Sequence, residues 1–387
     1  MKKLVKFLVV LLSILFVAFL VLRIGWSFSE KKVLNVYILD KTVTQYDRHE
    51  HKSFTWLLNH FRYVLPNGKS YSNKADYFGF FPVNIENEVF DFKSVRINEV
   101  DGFAAAFDVA YYTDCYGVHS FEWYKGKTKP IRSQKVYGGL NQNDFLLLKK
   151  MLDNGKLVIG EYNMFSTPTN ALIRSKTEAM LGIGWSGWSG KYFSTFDVTS
   201  SDGPPEWMKN LFESQHMGVW PVKKSGIVLL NNDGLLEILV LDEHLNSSMP
   251  IVETSAEQAQ RFGVKQQVPY TQWFEFVAPG KNKVPSNIKI DVNAEGKKVF
   301  SRLGINSVTP AVIEHNTDSR YFYLCGDFAD NPAAMWTAKL AGGKGINKLL
   351  TGFGNSSGAN FYRYYYSPLM QTILDEYYAS IQKKMEK

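Results

Sequence analysis

The chain has 387 residues, of which 45% are hydrophobic and 21% are charged, and this composition excludes collagen-like, low-complexity and wholly disordered chains. The length is sufficient for one large domain or for two domains. The formal net charge of +7 is concentrated in residues 1–23 and 334–387, which carry +4 each and leave −1 for the residues between them. Because a near-neutral body lacks the basic surface that binds phosphate backbones, we expect no nucleic-acid partner.

The first predicted element is a membrane-spanning helix. Residues 7–22 contain a single polar residue, Ser13, and apolar neighbours on both sides extend the run to the about 20 residues that cross a bilayer. Three lysines precede the run: Lys2, Lys3 and Lys6. Their charge favours a cytoplasmic N-terminus and an exported body, so the membrane is the first expected partner of the chain.

A cleaved signal peptide is the alternative to an anchor, with Ser27-Phe28-Ser29 as the nearest weak cleavage site. The apolar core of a signal peptide is about 7–15 residues long, and the run in this chain is longer. Arg23 and Trp26 also follow it directly. We therefore predict a retained single-pass anchor over residues 1–26 in the cell membrane, with the bulk of the chain extracytoplasmic.

Strands and helices alternate after the anchor. Buried strands are predicted from three apolar runs, at residues 33–39, 107–112 and 156–160. A helix capped by Asn141 or Asn143 precedes the third run, and a second helix covers residues 170–181. Because short connections join these elements, the pattern predicts parallel α/β units with helices covering a central sheet. The expected fold class is α/β, a three-layer sheet with an α+β extension.

The second half of the chain has a different pattern. Asn232-Asp233-Gly234 separates two apolar runs and predicts a hairpin within residues 225–241, since Asn and Gly tolerate positive φ. Strand-like stretches at residues 272–277 and 311–324 flank a helix-like stretch. We expect four parts in chain order: an anchor over 1–26, an α/β domain over 33–245, an extension over 246–330 that completes the sheet, and a helical region over 331–387.

Acidic residues stand at the ends of the predicted strands, where open α/β sheets bind ligands. Asp40, Asp114 and Glu161 follow the three apolar runs. If the strands are neighbours, these carboxyl groups meet in one crevice, where one can protonate a leaving group while another activates water or attacks. We take them as candidate catalytic residues, with simple strand termination as the alternative. Candidate substrate-binding residues are Tyr116, His119, Asn163, Trp185 and Trp188.

Residues 184–190 read GWSGWSG, the most distinctive string in the chain. It is not a nucleophile elbow, because Trp188 stands where that motif requires glycine. The two tryptophans can form a flat surface on which a sugar ring stacks, or one of them can pack inward. The sequence leaves both alternatives open.

Histidine and cysteine residues are too sparse for a metal motif. His49, His51 and His60 invite a zinc hypothesis, but their spacing is unlike that of known zinc motifs, and we favour a solvated helix N-terminus. Cys115 and Cys325 are the only cysteines, and we favour two buried free thiols over a disulfide. We predict no metal site and no cofactor.

Three short motifs carry a resemblance to a known superfamily. Tyr137-Gly138-Gly139-Leu140 precedes a helix, a strand ends in Glu161-Tyr162-Asn163, and a second helix leads into Leu181-Gly182-Ile183. This order resembles the class I glutamine amidotransferase-like fold, a flavodoxin-like superfamily that includes trehalose-utilisation-type proteins and the trimerisation domain of some β-galactosidases. The resemblance covers about residues 33–241 and implies a flavodoxin-like sheet.

The resemblance also bears on activity. Catalytic members carry a cysteine at the sharp turn after a central strand, and the corresponding turn here, Glu161-Tyr162-Asn163, has none. The resemblance therefore implies a degenerate member without glutaminase activity. The chain is also similar to membrane-anchored bacterial proteins of unassigned activity, a similarity that points to cell-surface polysaccharide.

Two functions are expected from these observations. The first is a membrane-tethered extracytoplasmic protein that binds a cell-envelope carbohydrate, with hydrolysis or modification of that polysaccharide left open. The second is a catalytically inert scaffold that holds envelope protein partners.

Overall fold

The computed structural model describes residues 2–126, 134–216, 218–247, 249–315, 321–351 and 357–386. The helices are α1 (Lys2–Ser27), α2 (His49–His60), α3 (Val100–Ala106), α4 (Ser120–Trp123), α5 (Gln142–Asp153), α6 (Ala171–Leu181), α7 (Glu206–Gln215), α8 (Ala256–Phe262), α9 (Ala294–Leu303), α10 (Gly343–Thr351), α11 (Ser357–Phe361) and α12 (Ser367–Met385). Short 3-10 turns lie at Ile97–Glu99 and Met335–Lys339, and a π-helical turn at Tyr362–Tyr366.

The strands are β1 (Lys32–Val33), β2 (Val36–Asp40), β3 (Tyr63–Val64), β4 (Phe78–Asn84), β5 (Val89–Lys93), β6 (Val109–Asp114), β7 (Val118–His119), β8 (Lys135–Tyr137), β9 (Leu157–Glu161), β10 (Gly184–Phe193), β11 (Gly226–Asn231), β12 (Leu236–Val240), β13 (Ile251–Thr254), β14 (Gln267–Pro269), β15 (Phe274–Ala278), β16 (Lys283–Lys289), β17 (Val308–Glu314) and β18 (Tyr321–Leu324).

A ten-stranded mixed sheet forms the centre of the body, in the order β14-β13-β16-β17-β18-β9-β6-β2-β4-β5. Its five middle strands, from β18 to β4, are parallel to one another. The strands outside them pair antiparallel. The α/β class is thus confirmed. Strands from both predicted segments, 33–245 and 246–330, share this one sheet.

Helices cover both faces of the parallel strands. In β2, Val36 and Ile38 join a core that also contains side chains of α2 and α12. Tyr37 and Leu39 point to the opposite core, which contains side chains of α3, α5 and α6. Because both faces of the sheet are buried, these strands appear in the sequence as continuous apolar runs rather than alternating ones.

A second, four-stranded antiparallel sheet has the order β12-β11-β10-β15. The GWSGWSG string lies on β10, where Gly190 lets the Phe274 ring pack directly on the backbone; a Cβ there would be 2.6 Å from the ring. A bridge between Phe274 and Gly326 joins this sheet to the segment after β18. The small sheet therefore flanks the carboxyl end of the parallel strands.

Several local predictions are confirmed. The Asn141 side chain accepts hydrogen bonds from the backbone of Asn143 and Asp144 and caps α5. Gly182 ends α6 in the left-handed conformation, and β11 and β12 form the predicted hairpin. Both cysteines are free and buried.

Helix α1 is the one candidate membrane span among the described residues, with a mean hydropathy of 3.0 over its most apolar window and none of that window buried in the body. It is long and apolar enough to cross a membrane. A signal sequence has the same character.

Candidate functional site

The three acidic strand ends lie side by side. Strands β2, β6 and β9 are neighbours in the sheet, and Asp40 is paired with Asp114 across β2 and β6. Glu161 of β9 is paired with Leu324 of β18. The carboxyl ends of four parallel strands thus meet at one edge of the sheet. We call the acidic residues gathered there the edge cluster: Asp40, Glu50, Asp114, Glu161, Asp327 and Asp330.

Asp40 is fully enclosed and binds groups of the protein. Its Oδ2 lies 2.5 Å from Nδ1 of His51, and its Oδ1 accepts a hydrogen bond of 3.0 Å from the backbone N–H of Thr42. The other ring nitrogen of His51 lies 2.8 Å from the carbonyl oxygen of Asn73. Because a carbonyl can only accept, Nε2 of His51 carries a proton. Asp40 therefore fixes the first turn of α2 against the end of β2.

Glu161 is also closed to solvent. One carboxyl oxygen accepts hydrogen bonds from the backbone N–H groups of Phe328 and Ala329, and the other accepts from the hydroxyl of Tyr111. Burial raises the pKa of Glu161 to about 8, although these hydrogen bonds oppose the rise. The side chain thus holds the segment after β18 in place.

Asp114 is the predicted catalytic candidate that retains access to solvent, with 8% of its surface exposed. Its Oδ1 accepts from the backbone N–H of Tyr116 and lies 3.3 Å from Nδ2 of Asn163. Burial raises the pKa of Asp114 well above its usual range, and the nearby Glu50 raises it further. Its surroundings therefore disfavour the charged form of this carboxyl group.

Three further acidic groups of the edge cluster, Glu50, Asp327 and Asp330, were not among the predicted catalytic residues. Glu50 lies in the first turn of α2, and its Oε1 is 2.7 Å from Nε2 of His49. This hydrogen bond raises the pKa of His49 to about 10, whereas burial raises the pKa of Glu50 and the bond to His49 opposes that rise. Burial, Asp330 and Glu50 raise the pKa of Asp327 well above its usual range. Asp327 and Asp330 follow a predicted strand within a few residues, and Glu50 lies in the polar stretch between the first predicted strand and α2.

The predicted binding residues near Asp114 are brought together. The rings of Tyr116 and His119 lie 4.6 Å apart between centroids, and both belong to the segment that follows Asp114. Asn163 has a positive φ of 71°, donates to Asp114 and accepts from the hydroxyl of Ser166. Its backbone N–H donates to Glu275 of the small sheet. A polar surface and an aromatic pair thus adjoin the same carboxyl group.

The two tryptophans of β10 do not form an exposed platform. Trp188 is 5% exposed and belongs to the main core. Trp185 is half-buried, and the guanidinium of Arg174 lies 5.4 Å from its ring centroid. The inward-packing alternative therefore describes Trp188, because the flanking glycines of a paired strand let its ring turn into the core.

The three histidines of the zinc hypothesis have separate partners. His51 binds Asp40, His49 binds Glu50, and Nδ1 of His60 lies 3.1 Å from the carbonyl oxygen of Ala338. Within the described ranges there is no group of three or more His, Cys, Asp or Glu side chains placed to hold a metal ion.

Comparison of the chain with protein-family models, with curated proteins and with solved structures gave no match. The resemblance to the amidotransferase-like superfamily therefore gains no support from them. What defines the class of protein is its architecture: one apolar N-terminal helix and a mixed α/β body with acidic groups gathered at the carboxyl ends of parallel strands.

Proposed function

We propose that the protein is a membrane-tethered, extracytoplasmic protein that binds a carbohydrate of the cell envelope at the edge cluster and hydrolyses or modifies it there. The observation that carries this proposal is the meeting of several acidic groups with different surroundings at one edge of the sheet. Hydrolysis of a glycosidic bond requires one protonated and one ionised carboxyl group.

The surroundings of the accessible carboxyl groups support a division of roles. Burial and like charges raise the pKa of Asp114 and of Asp327, which suits a general acid. Burial also raises the pKa of Glu50, but the hydrogen bond and charge of His49 oppose that rise, which suits a group that activates water or attacks. Asp40 and Glu161 act in this proposal as positioning residues, since their oxygens already bind groups of the protein.

The aromatic pair next to Asp114 supports a sugar ligand. Tyr116 and His119 present rings beside a carboxyl group and the amide of Asn163. A sugar ring combines an apolar face, which stacks on aromatic rings, with hydroxyl groups, which bond to carboxyl and amide groups.

Contacts at the end of α1 support a retained anchor. The guanidinium of Arg62 donates to the carbonyl oxygens of Trp26 and Ser27 and so caps the helix. The indole N–H of Trp26 donates to the carbonyl of His60. Cleavage after Ser29 would remove all of these contacts. The lysines before the apolar run support export of the body.

The order of the parallel strands supports the flavodoxin-like arrangement. Along the sheet they run β4-β2-β6-β9-β18, which in chain order is the second, first, third, fourth and fifth parallel strand. Flavodoxin-like sheets have this order, and they bind ligands beyond the carboxyl ends of their strands.

A glycan array probed with the full chain in detergent tests the proposal. We expect the wild type to retain an envelope-type glycan, and Asp114→Asn and Asp327→Asn to lose at least about tenfold in affinity, a loss of about 1.4 kcal/mol. Asp202→Asn, on an exposed turn before α7, serves as the matched control and should bind as the wild type does. Retention of no glycan, or equal retention by all variants, contradicts the proposal.

The scaffold function has one observation in its favour. Strand β5 is at the edge of the main sheet, and Val89 and Phe92 on it are 46% and 52% exposed. An exposed edge strand pairs readily with a strand of another chain. If this function holds, Phe92→Lys should abolish capture of an envelope protein by the full chain while glycan retention is unchanged.

A further inference from the structure

One segment of the body runs along α1 instead of meeting only its end. The backbone N–H of Ala341 donates to the carbonyl of Leu22, and the guanidinium of Arg23 donates to the carbonyl of Lys339. A Cβ on Gly25 would lie 3.4 Å from Cβ of Ala341, so the helix and the segment are in close contact. We call residues 335–341 the interfacial segment.

The interfacial segment reaches the apolar part of α1. The rings of Phe19 and Trp336 lie 6.5 Å apart between centroids. At a rise of 1.5 Å per residue, Phe19 lies about 12 Å before the end of α1 at Ser27. The apolar run from Leu4 to Leu22 is about 28 Å long, which matches the about 30 Å of a bilayer's hydrocarbon layer. When α1 spans a membrane, Trp336 therefore lies at the boundary of that layer.

The exposed groups of this segment match the chemistry of that boundary. Trp336 is 56% exposed, although it stands beside the apolar Phe19. Tryptophan is enriched at membrane–water interfaces because its ring is apolar and its N–H needs a polar partner. Lys339 follows Trp336 by three residues, and the Arg23 guanidinium donates to the Lys339 carbonyl, so both supply positive charge near headgroup phosphates.

We propose that the lipid bilayer is the partner of this surface: the interfacial segment lies in the membrane interface beside α1, with Trp336 at the level of the outer acyl chains. The proposal rests on the retained anchor of the proposed function. The body then contacts the membrane at two places, the anchor and the interfacial segment, and its orientation is fixed.

The edge cluster lies at the other end of α2 from the interfacial segment. The chain from Ala329 to Ala338 follows α2 from one end to the other: Ser53 donates to the carbonyl of Ala329, and His60 contacts that of Ala338. Ala329 also binds Glu161 at the edge cluster. The twelve residues of α2 are about 18 Å long, so the cluster lies about that far from the interfacial segment.

The test uses the full chain reconstituted in vesicles of phosphatidylcholine and phosphatidylglycerol. Trp336→Cys is labelled with a polarity-sensitive fluorophore. The label selects the new thiol because the native cysteines are buried, and unlabelled wild type provides the blank. Val219→Cys, at a position that is 91% exposed between α7 and β11, is the matched control. We expect the emission at position 336 to be blue-shifted and to be quenched severalfold more by nitroxide lipid than by aqueous iodide. At position 219 we expect no blue shift and stronger quenching by iodide than by nitroxide lipid. Lys339→Cys provides a second position if Trp336→Cys does not fold.

Several results would overturn this proposal. The bilayer is excluded as the partner if the emission at positions 336 and 339 matches the emission at position 219. It is also excluded if position 336 cross-links to a second protein in place of lipid. An intact mass of the wild type that lacks residues 1–29 overturns the proposal, because cleavage after Ser29 removes the anchor. Glycan retention is measured on the same preparations, so failure at the membrane is distinguished from failure of the edge cluster.

Discussion

Asp40 and Asp114 are paired across neighbouring strands, yet their side chains have different surroundings. Asp40 is enclosed and binds His51 at 2.5 Å. Asp114 keeps some exposure, and burial together with Glu50 raises its pKa. The same residue type thus stabilises the fold at one position, and at the other its charged form is disfavoured.

This difference gives opposite expectations for two amide substitutions. Asp40→Asn removes the partner of a buried imidazole and should lower the free energy of unfolding by about 3–5 kcal/mol. Asp114→Asn replaces a carboxyl whose charge is disfavoured and should leave that free energy unchanged or higher at pH 7. Urea unfolding of both variants measures the effects. Equal destabilisation by the two substitutions would contradict these roles.

Two buried glutamates make stability depend on pH. Burial raises the pKa of Glu161 to about 8 and that of Glu275 to about 7, above the value of about 4.3 that applies in the unfolded chain. The native state therefore binds protons that the unfolded chain has released. The stabilisation is complete below about pH 4.3 and is lost as the pH rises through 7 and 8.

We expect the free energy of unfolding to fall between pH 6.5 and 9, and Glu161→Gln to reduce this fall, because glutamine keeps an acceptor for Phe328 and Ala329 but does not ionise. Exposed Glu257→Gln is the control. Denaturant unfolding over this pH range measures the slope. A stability that rises over the range would refute the assignment.

At the scale of elements, Gly79 sets how closely β4 approaches β2. Its φ is +125°, and a Cβ there would lie 1.6 Å from the carbonyl oxygen of Asp40. Gly79→Ala should therefore destabilise the protein by more than about 1 kcal/mol and displace the end of β2. Gly102→Ala in α3, where a Cβ meets nothing, should stabilise it by up to about 1 kcal/mol. Thermal unfolding compares them; similar melting temperatures would contradict the close approach.

The elements that local chemistry determines could be predicted from the sequence. Few residue types can replace the side-chain cap of Asn141 or the positive φ of Gly182 and of the Asn232-Asp233-Gly234 turn. The structure places all three as expected. The pairing of β15 with β10 could not be predicted, because it joins segments far apart in the chain. Helix α2 begins at His49, where a helix N-terminus was expected, but its Glu50 and His51 are buried and not solvated, because Asp40 binds His51.

The edge cluster could be predicted only in part. Strand ends can be read from apolar runs, so Asp40, Asp114 and Glu161 were found. Which of these carboxyl groups is accessible depends on what packs over them. Glu50 arrives with α2, and Asp327 arrives with the segment after β18. Their closeness to Asp114 is a property of tertiary packing, which local sequence patterns do not contain.

At the scale of the whole molecule, one stretch links the edge cluster to α1. It starts at Phe328 and Ala329, which bind Glu161, and it ends at Ala341, which binds the carbonyl of Leu22 in α1. The end of α1 and the edge cluster therefore lie at opposite ends of α2. In the proposed function, this arrangement keeps the acidic groups about the length of α2 away from the anchor.

In the proposed function, the edge cluster is the part of the molecule that binds the glycan. Hydrogen-exchange mass spectrometry of the full chain, with and without a glycan retained on the array, tests it most directly. We predict slower exchange on binding in residues 40–51, 114–119, 161–166 and 325–331, the four segments that follow the parallel strands. Slower exchange confined to β10–β12 or to the interfacial segment, or no change anywhere, would contradict the claim.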